Sequence, residues 1–397
     1  MTTKELLTWK LGVILSFGVT IAGVIVFWDQ VKKTFNIIND NNTIKKNINK
    51  ISKLENKKNK IKRVVKTDEI IEELPNPRWV KIGKIKELYY YPLKSGRGKE
   101  LTECNFTEYG IAVCADTQCC ITLRDRMFMV YNEETGKFIT GRNYPTLLLV
   151  SICAVDKSKV KLGATGMTHY IFELPKDIDN TAVDCTMWWG EPVKCNDCGD
   201  GPAQWISQFL TGTNSGLRIG LALDTINNNS RNILEGPWEK FTKVYDTLTN
   251  DDVGLFADLA SYMVMTESSL EELNKKLENK ISALQFRPNI VVSGTEAFEE
   301  DNWEWIKIGS SVILRNVKPC PRCTMTLVNP ETGKVDDKLE PLKTLRTFRQ
   351  QKNKDRISVD GKAPILGIYC GLYSIGNVKI GDDVFLHQPI SVRTTVL

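Results

Sequence analysis

From Trp79 onward the chain breaks into short apolar runs separated by turn residues, a pattern that restricts it to a β-rich fold. Val80 to Leu88 alternates apolar and polar side chains with period two, the signature of a strand with one buried face. Met127–Tyr131 and Phe138–Thr140 flank an Asn-Glu-Glu-Thr-Gly turn and predict a hairpin. Further strands are expected at Leu147–Cys153, Arg287–Ser293, Ser311–Leu314, Thr324–Val328, Gly367–Tyr373 and Val378–Leu386. Helical periodicity appears at Gly201–Leu210, at Ser268–Leu284 with Thr266 or Ser268 as its cap, and at Leu342–Gln350. Many short strands with few helices predict an α+β, β-rich chain with a β-barrel-like core.

The N-terminus follows a different rule. Leu11 to Trp28 is 18 residues without a charge, at the short end of a membrane-spanning helix. It ends in Phe27-Trp28 rather than in the small residues of a cleavage site, which favours an uncleaved anchor over a signal peptide. Lys32, Lys33, Lys45, Lys46, Lys50, Lys53, Lys57, Lys58, Lys60, Lys62 and Arg63 follow, and by the positive-inside rule they place the rest of the chain on the cytosolic side. The expected division is an anchor over 1–28, a basic tether over 29–78, a β-rich module over 79–212, a mixed module over 213–388 and a tail over 389–397. The net charge of +5 is concentrated in the tether, so a nucleic-acid partner is not indicated. Eleven cysteines without a framework spacing indicate free thiols in a reducing compartment, and two histidines leave little room for histidine-based chemistry.

The segment most suggestive of chemistry is Lys318-Pro319-Cys320-Pro321-Arg322-Cys323. Two prolines rule out a helix, and an arginine beside a thiol favours the thiolate that ligates metals. Structural, buried cysteines are the competing reading. A second Cys-x-x-Cys stands at Cys195 and Cys198, but more than 120 residues separate the pairs, far beyond the roughly 15–20 of a zinc ribbon. Lys94-Ser95, Arg124, Arg126, Arg142, Arg287 and Arg322 all fall in turns or at strand ends. Converging on one pocket, they would bind a phosphate or similar anion.

The ordered motifs YPLKS (91–95), RDR (124–126), FRPNIVVSG (286–294), PCPRC (319–323), ETGK (331–334) and GKAPILGIY (361–369) resemble the MOSC-domain family, in its branch of amidoxime-reducing enzymes. The resemblance runs from about Trp79 to His387. It implies an N-terminal β-barrel companion domain packed on a MOSC β-barrel domain, and a molybdenum cofactor, a pyranopterin dithiolene with a terminal phosphate. It makes Cys323 the metal ligand and catalytic residue, with Cys320 structural. Lys94, Ser95, Arg126, Arg287, Arg322 and Tyr369 match positions that hold the pterin and its phosphate. Pro321 matches a contact beside the ligand, and Asn289 a support. Asp258-Leu259-Ala260 departs from the pattern, because Leu259 and Ala260 offer only backbone amides where relatives carry hydroxyls. The implied activity is reduction of small N-hydroxylated compounds, with electrons from NADH through a flavin reductase and a b-type haem cytochrome, at the mitochondrial outer membrane. A cofactor-handling or sulfur-carrier module, such as the one that follows the pyridoxal-phosphate domain of cofactor sulfurases, is the alternative.

Overall fold

The computed structural model describes residue 74 and residues 77–113, 121–175, 182–222 and 231–388. The expected anchor at Leu11–Trp28, the basic tether to residue 66 and the tail from 389 lie outside the described residues. Among those described, no helix is long and apolar enough to cross a membrane.

Seven strands close into a barrel: β1 (Trp79–Tyr90), β2 (Tyr262–Thr266), β3 (Ile290–Ser293), β4 (Trp305–Ile308), β5 (Val312–Pro321), β6 (Ile365–Ser374) and β7 (Asp383–His387). They neighbour one another in the order β3-β2-β6-β5-β4-β7-β1, and β1 returns to pair with β3. Every pairing is antiparallel except β2 with β3, which the helix Glu267–Asn274 joins as a parallel crossover. Thr266 caps that helix by accepting from the Ser269 amide. The barrel is filled by Leu88, Val264, Ile290, Val292, Ile306, Leu314, Ile368 and Val384, all buried.

The strand that completes the closure comes from the start of the β-rich module, about 200 residues before β3. At Gly83 the register shifts, and a Cβ there would lie 2.0 Å from the Ser293 carbonyl oxygen on β3. Only glycine permits that approach. The exchange runs both ways: Gly376–Lys379, near the C-terminus, pairs with Glu103–Thr107 in a four-stranded sheet of the N-terminal half. That half also holds a five-stranded and a three-stranded sheet, and all three are open among the described residues.

The structure corrects four sequence-based elements. Thr324–Leu327 is a 3-10 turn, not a strand. Val378–Leu386 is two strands, broken at Gly381, which adopts φ +89°. Leu147–Cys153 is divided between a 3-10 turn (Pro145–Leu149) and a strand (Ser151–Ala154). The helix expected over Ser268–Leu284 ends at Asn274, whose side chain accepts from the Ile281 amide and donates to its carbonyl. That pair of bonds folds the remaining apolar residues into a loop against the barrel.

Candidate cofactor site

Strand ends and turns at one side of the barrel build the site. β1 runs out through Tyr91 to Lys94 and Ser95. β5 ends at Pro321 and delivers Arg322 and Cys323. Tyr369 lies on β6, and Arg287 and Asn289 precede β3. Together with Arg126 and Asp258-Leu259-Ala260, these residues line one cavity of about 340 Å³, so the twelve residues matched to the cofactor site meet there. Of the cations expected to converge, Arg142 also lines the cavity but Arg124 does not; it donates to the Thr107 hydroxyl at 2.9 Å instead. Three of them hold non-glycine residues in the left-handed region: Ser95 (φ 62°), Arg126 (φ 49°) and Arg287 (φ 57°). Such conformations cost on the order of 1–3 kcal/mol each and persist where surrounding structure imposes them, frequently at functional sites.

Six cations line the cavity, Lys94, Arg126, Arg142, Arg287, Lys318 and Arg322, against two carboxylates, Asp258 and Asp360. The buried Tyr91 ring carries two of the guanidiniums, with Arg126 Cζ 4.6 Å and Arg287 Cζ 4.2 Å from its centroid. One aromatic ring thus helps position two like charges that line the same cavity. Arg126 pairs with Asp125, which also accepts from the Tyr91 amide at 2.8 Å. Arg287 donates Nη1 to the Gly96 carbonyl at 2.7 Å, while its Nη2 is buried without a partner. Burial lowers Arg287 to about 10. Lys94 pairs with Asp258, and burial pulls the lysine down to about 8 against the pull of that carboxylate. An anion entering this cavity would relieve both strains.

The two thiols differ. Cys320 is buried, and Arg322 turns its Nη1 to that sulfur at 2.7 Å and its Nη2 to the Phe286 carbonyl at 2.7 Å. Cys323, two residues past the end of β5, is exposed to the cavity. Its thiol is raised by desolvation within the cavity walls, against the Met325 amide that pulls it down. Arg322 gives its hydrogen bond to Cys320 and acts on Cys323 only through its charge, so it favours the thiolate there less than the sequence suggested, and burial outweighs it. A metal ion would have to displace the Cys323 proton. Arg322 Nε is buried without a partner, a second donor left for a ligand. Asn289 works as a support: it donates to the Tyr89 carbonyl at 3.3 Å and accepts from the Met263 amide at 3.1 Å, tying β1 to β2. Leu259 and Ala260 are buried, and their amides meet no acceptor among the described residues.

Sequence reasoning missed the opposite wall. Lys318, on β5, is buried and donates Nζ to Asp360 at 2.9 Å. Asp360 also accepts from the Tyr245 hydroxyl. Phe241, Tyr245 and Tyr369 surround the lysine at 5.8, 5.0 and 5.7 Å. Trp188 lines the mouth. Lys318 was visible as part of the cysteine segment, but nothing in the sequence tied it to Asp360, 42 residues on.

Exposed sulfur, orphaned guanidinium nitrogens and uncommitted amides in one cation-lined cavity fit an anionic cofactor carrying a thiophilic metal. Comparison with known proteins agrees. Residues 82–213 match the MOSC N-terminal beta barrel domain and residues 251–385 the MOSC domain. The chain is 33% identical over 308 residues to mitochondrial amidoxime reducing component 2 of Bos taurus, spanning 78% of this chain and 84% of that protein. It is 32% identical over 305 residues to mitochondrial amidoxime-reducing component 1 of Homo sapiens, spanning 77% and 83%. The chain belongs to the MOSC-domain family, among the mitochondrial amidoxime-reducing components, which are molybdenum-cofactor reductases.

Proposed function

We propose that this chain reduces N-hydroxylated compounds such as amidoximes, hydroxamic acids and N-hydroxyguanidines. The observation that carries the reading is Cys323, the one exposed thiol among the described cysteines, facing a cavity of cations with unfilled hydrogen-bond capacity. When bound, the molybdenum centre supplies two-electron removal of the N–OH oxygen, which leaves as water after two protons are taken up.

The protein's own part is to hold and orient. Cys323 provides the soft thiolate ligand once its proton is lost. Lys94, Ser95, Arg126 and Arg287 receive the phosphate, and the left-handed turns beneath Ser95, Arg126 and Arg287 fix them in advance. Arg322 holds Cys320 in the wall and would offer its unpartnered Nε to the cofactor, Pro321 would offer its carbonyl or ring, and Tyr369 forms part of the enclosing wall. The Leu259 and Ala260 amides replace the hydroxyls that relatives carry. The electron donors are a b-type haem cytochrome and its NADH-dependent flavin reductase. The uncharged segment Leu11–Trp28 anchors the chain in the mitochondrial outer membrane with the reductase facing the cytosol.

The test uses the full chain, made in a host that synthesises the cofactor. It is expected to contain near-stoichiometric molybdenum and to reduce benzamidoxime when haem donor, flavin reductase and NADH are added. Molybdenum with no turnover would favour a cofactor-handling module, and absence of molybdenum would overturn the assignment.

A further inference from the structure

Five of the six cavity cations have partners: Arg126 with Asp125, Lys94 with Asp258, Lys318 with Asp360, Arg287 with the Gly96 carbonyl and Arg322 with the Phe286 carbonyl. Arg142 is different. It is exposed at the mouth, and its guanidinium has no carboxylate within 4.0 Å and no hydrogen-bond acceptor among the described residues. It is nevertheless held in place. Its amide donates to the Thr140 hydroxyl at 3.1 Å, and the Thr140 amide donates to the Asn143 side chain at 3.0 Å, pinning the backbone. Its guanidinium lies 4.3 Å from the centroid of the Trp188 ring.

Trp188 is itself unusual, at 52% exposed for the largest apolar side chain. Exposed tryptophan faces are uncommon on a folded surface unless something covers them. This one is braced edge-on by Trp189 at 5.2 Å and 90°, and Trp189 in turn by Trp238 at 5.4 Å. The rim thus presents a braced, half-exposed indole with a guanidinium stacked over it that has no carboxylate or hydrogen-bond partner among the described residues. None of the residues matched to the cofactor lies in this pair, so the clamp faces whatever enters the mouth.

We infer that Arg142 and Trp188 form a substrate subsite for planar, conjugated N-hydroxylated compounds that carry an anionic group, a carboxylate above all. The part of the indole that the guanidinium leaves open takes the flat body. The guanidinium takes the carboxylate through paired hydrogen bonds, which a lysine would not reproduce. This inference rests on the chain being an N-hydroxy reductase.

The experiment measures kcat/KM for 4-carboxybenzamidoxime and for benzamidoxime with the molybdenum-loaded full chain. Arg142→Gln is expected to lower the ratio of the carboxylated to the neutral substrate about tenfold or more, the usual worth of a charge-assisted bond. Arg142→Glu should lower it further, Arg142→Lys should keep part of it, and added salt should erode it in the wild type. Trp188→Leu should lower kcat/KM for both aromatic substrates about three- to tenfold. A ratio unchanged in Arg142→Gln and Arg142→Glu overturns the subsite while leaving the reductase standing. If the wild type reduces neither compound, the reductase reading fails instead. Calorimetry with 4-carboxybenzamidine and benzamidine then decides the subsite: a preference for the carboxylated ligand that disappears in Arg142→Gln supports it, and none overturns it.

Discussion

Two Cys-x-x-Cys pairs occur in this chain, with identical spacing and different fates. Cys195 and Cys198 are both buried at the end of the strand Pro192–Asp197, and the Cys195 sulfur rests 3.5 Å from that of Cys185 on the neighbouring strand. The Cys185 thiol and burial raise Cys195, and burial with the Asp197 charge raises Cys198, well above the usual thiol range. Cys320 is equally buried, but Cys323 stands beyond the last residue of β5, open to six cations. Spacing places two sulfurs near one another. What makes one of them a ligand is a strand that ends at the rim of a cavity, with prolines at Pro319 and Pro321 where register shifts already interrupt the ladder.

The largest effect is expected at Cys323. Cys323→Ala should bring N-hydroxy reduction down to background, whereas Cys198→Ala should retain turnover; loss of activity in both would erase the distinction. Next is Arg287→Met, which removes the orphaned Nη2 and should weaken cofactor retention about 10- to 100-fold, read as molybdenum lost on dialysis. Asp360→Ala strands the buried Lys318 ammonium opposite and should destabilise the protein by about 3–5 kcal/mol, read by denaturant unfolding. Alkylation of cofactor-free protein sharpens the contrast by pH. A raised thiol is protonated at neutral pH, so iodoacetamide should label Cys323 slowly there and about tenfold faster per pH unit until it ionises. Cys195 and Cys198 should stay unlabelled while the protein is folded, and rapid neutral labelling of Cys323 would contradict the geometry. The smallest effect is Cys195→Ala, which trims a packed sulfur and should cost about 1 kcal/mol of stability without changing molybdenum content.

Local patterns were readable and long-range ones were not. The alternation of Val80–Leu88 announces a strand, and Thr266 announces a helix cap, because both depend on neighbours in sequence. That β1 closes a barrel against Ile290–Ser293 depends on a pairing some 200 residues long, which periodicity does not carry. Thr324–Val328 has strand-like composition, yet its Thr326 amide bonds back to the Cys323 carbonyl at 3.1 Å and tightens the segment into a turn. The site residues were legible as cations in turns arranged around a thiol. Which cation serves which partner was not: Arg322 sits next to Cys323 in sequence and binds Cys320 in space. Lys318 with Asp360, and Arg142 on Trp188, became visible only when strands and loops distant in sequence met at one cavity.

The inequality of Cys320 and Cys323 is the centre of the account, and molybdenum content tests it most directly. Full chain carrying Cys320→Ser or Cys323→Ser, purified from a cofactor-competent host, would be assayed for molybdenum by mass spectrometry alongside the wild type. The account predicts wild-type metal in Cys320→Ser and little or none in Cys323→Ser. Metal retained in Cys323→Ser, or lost equally from both, would contradict it.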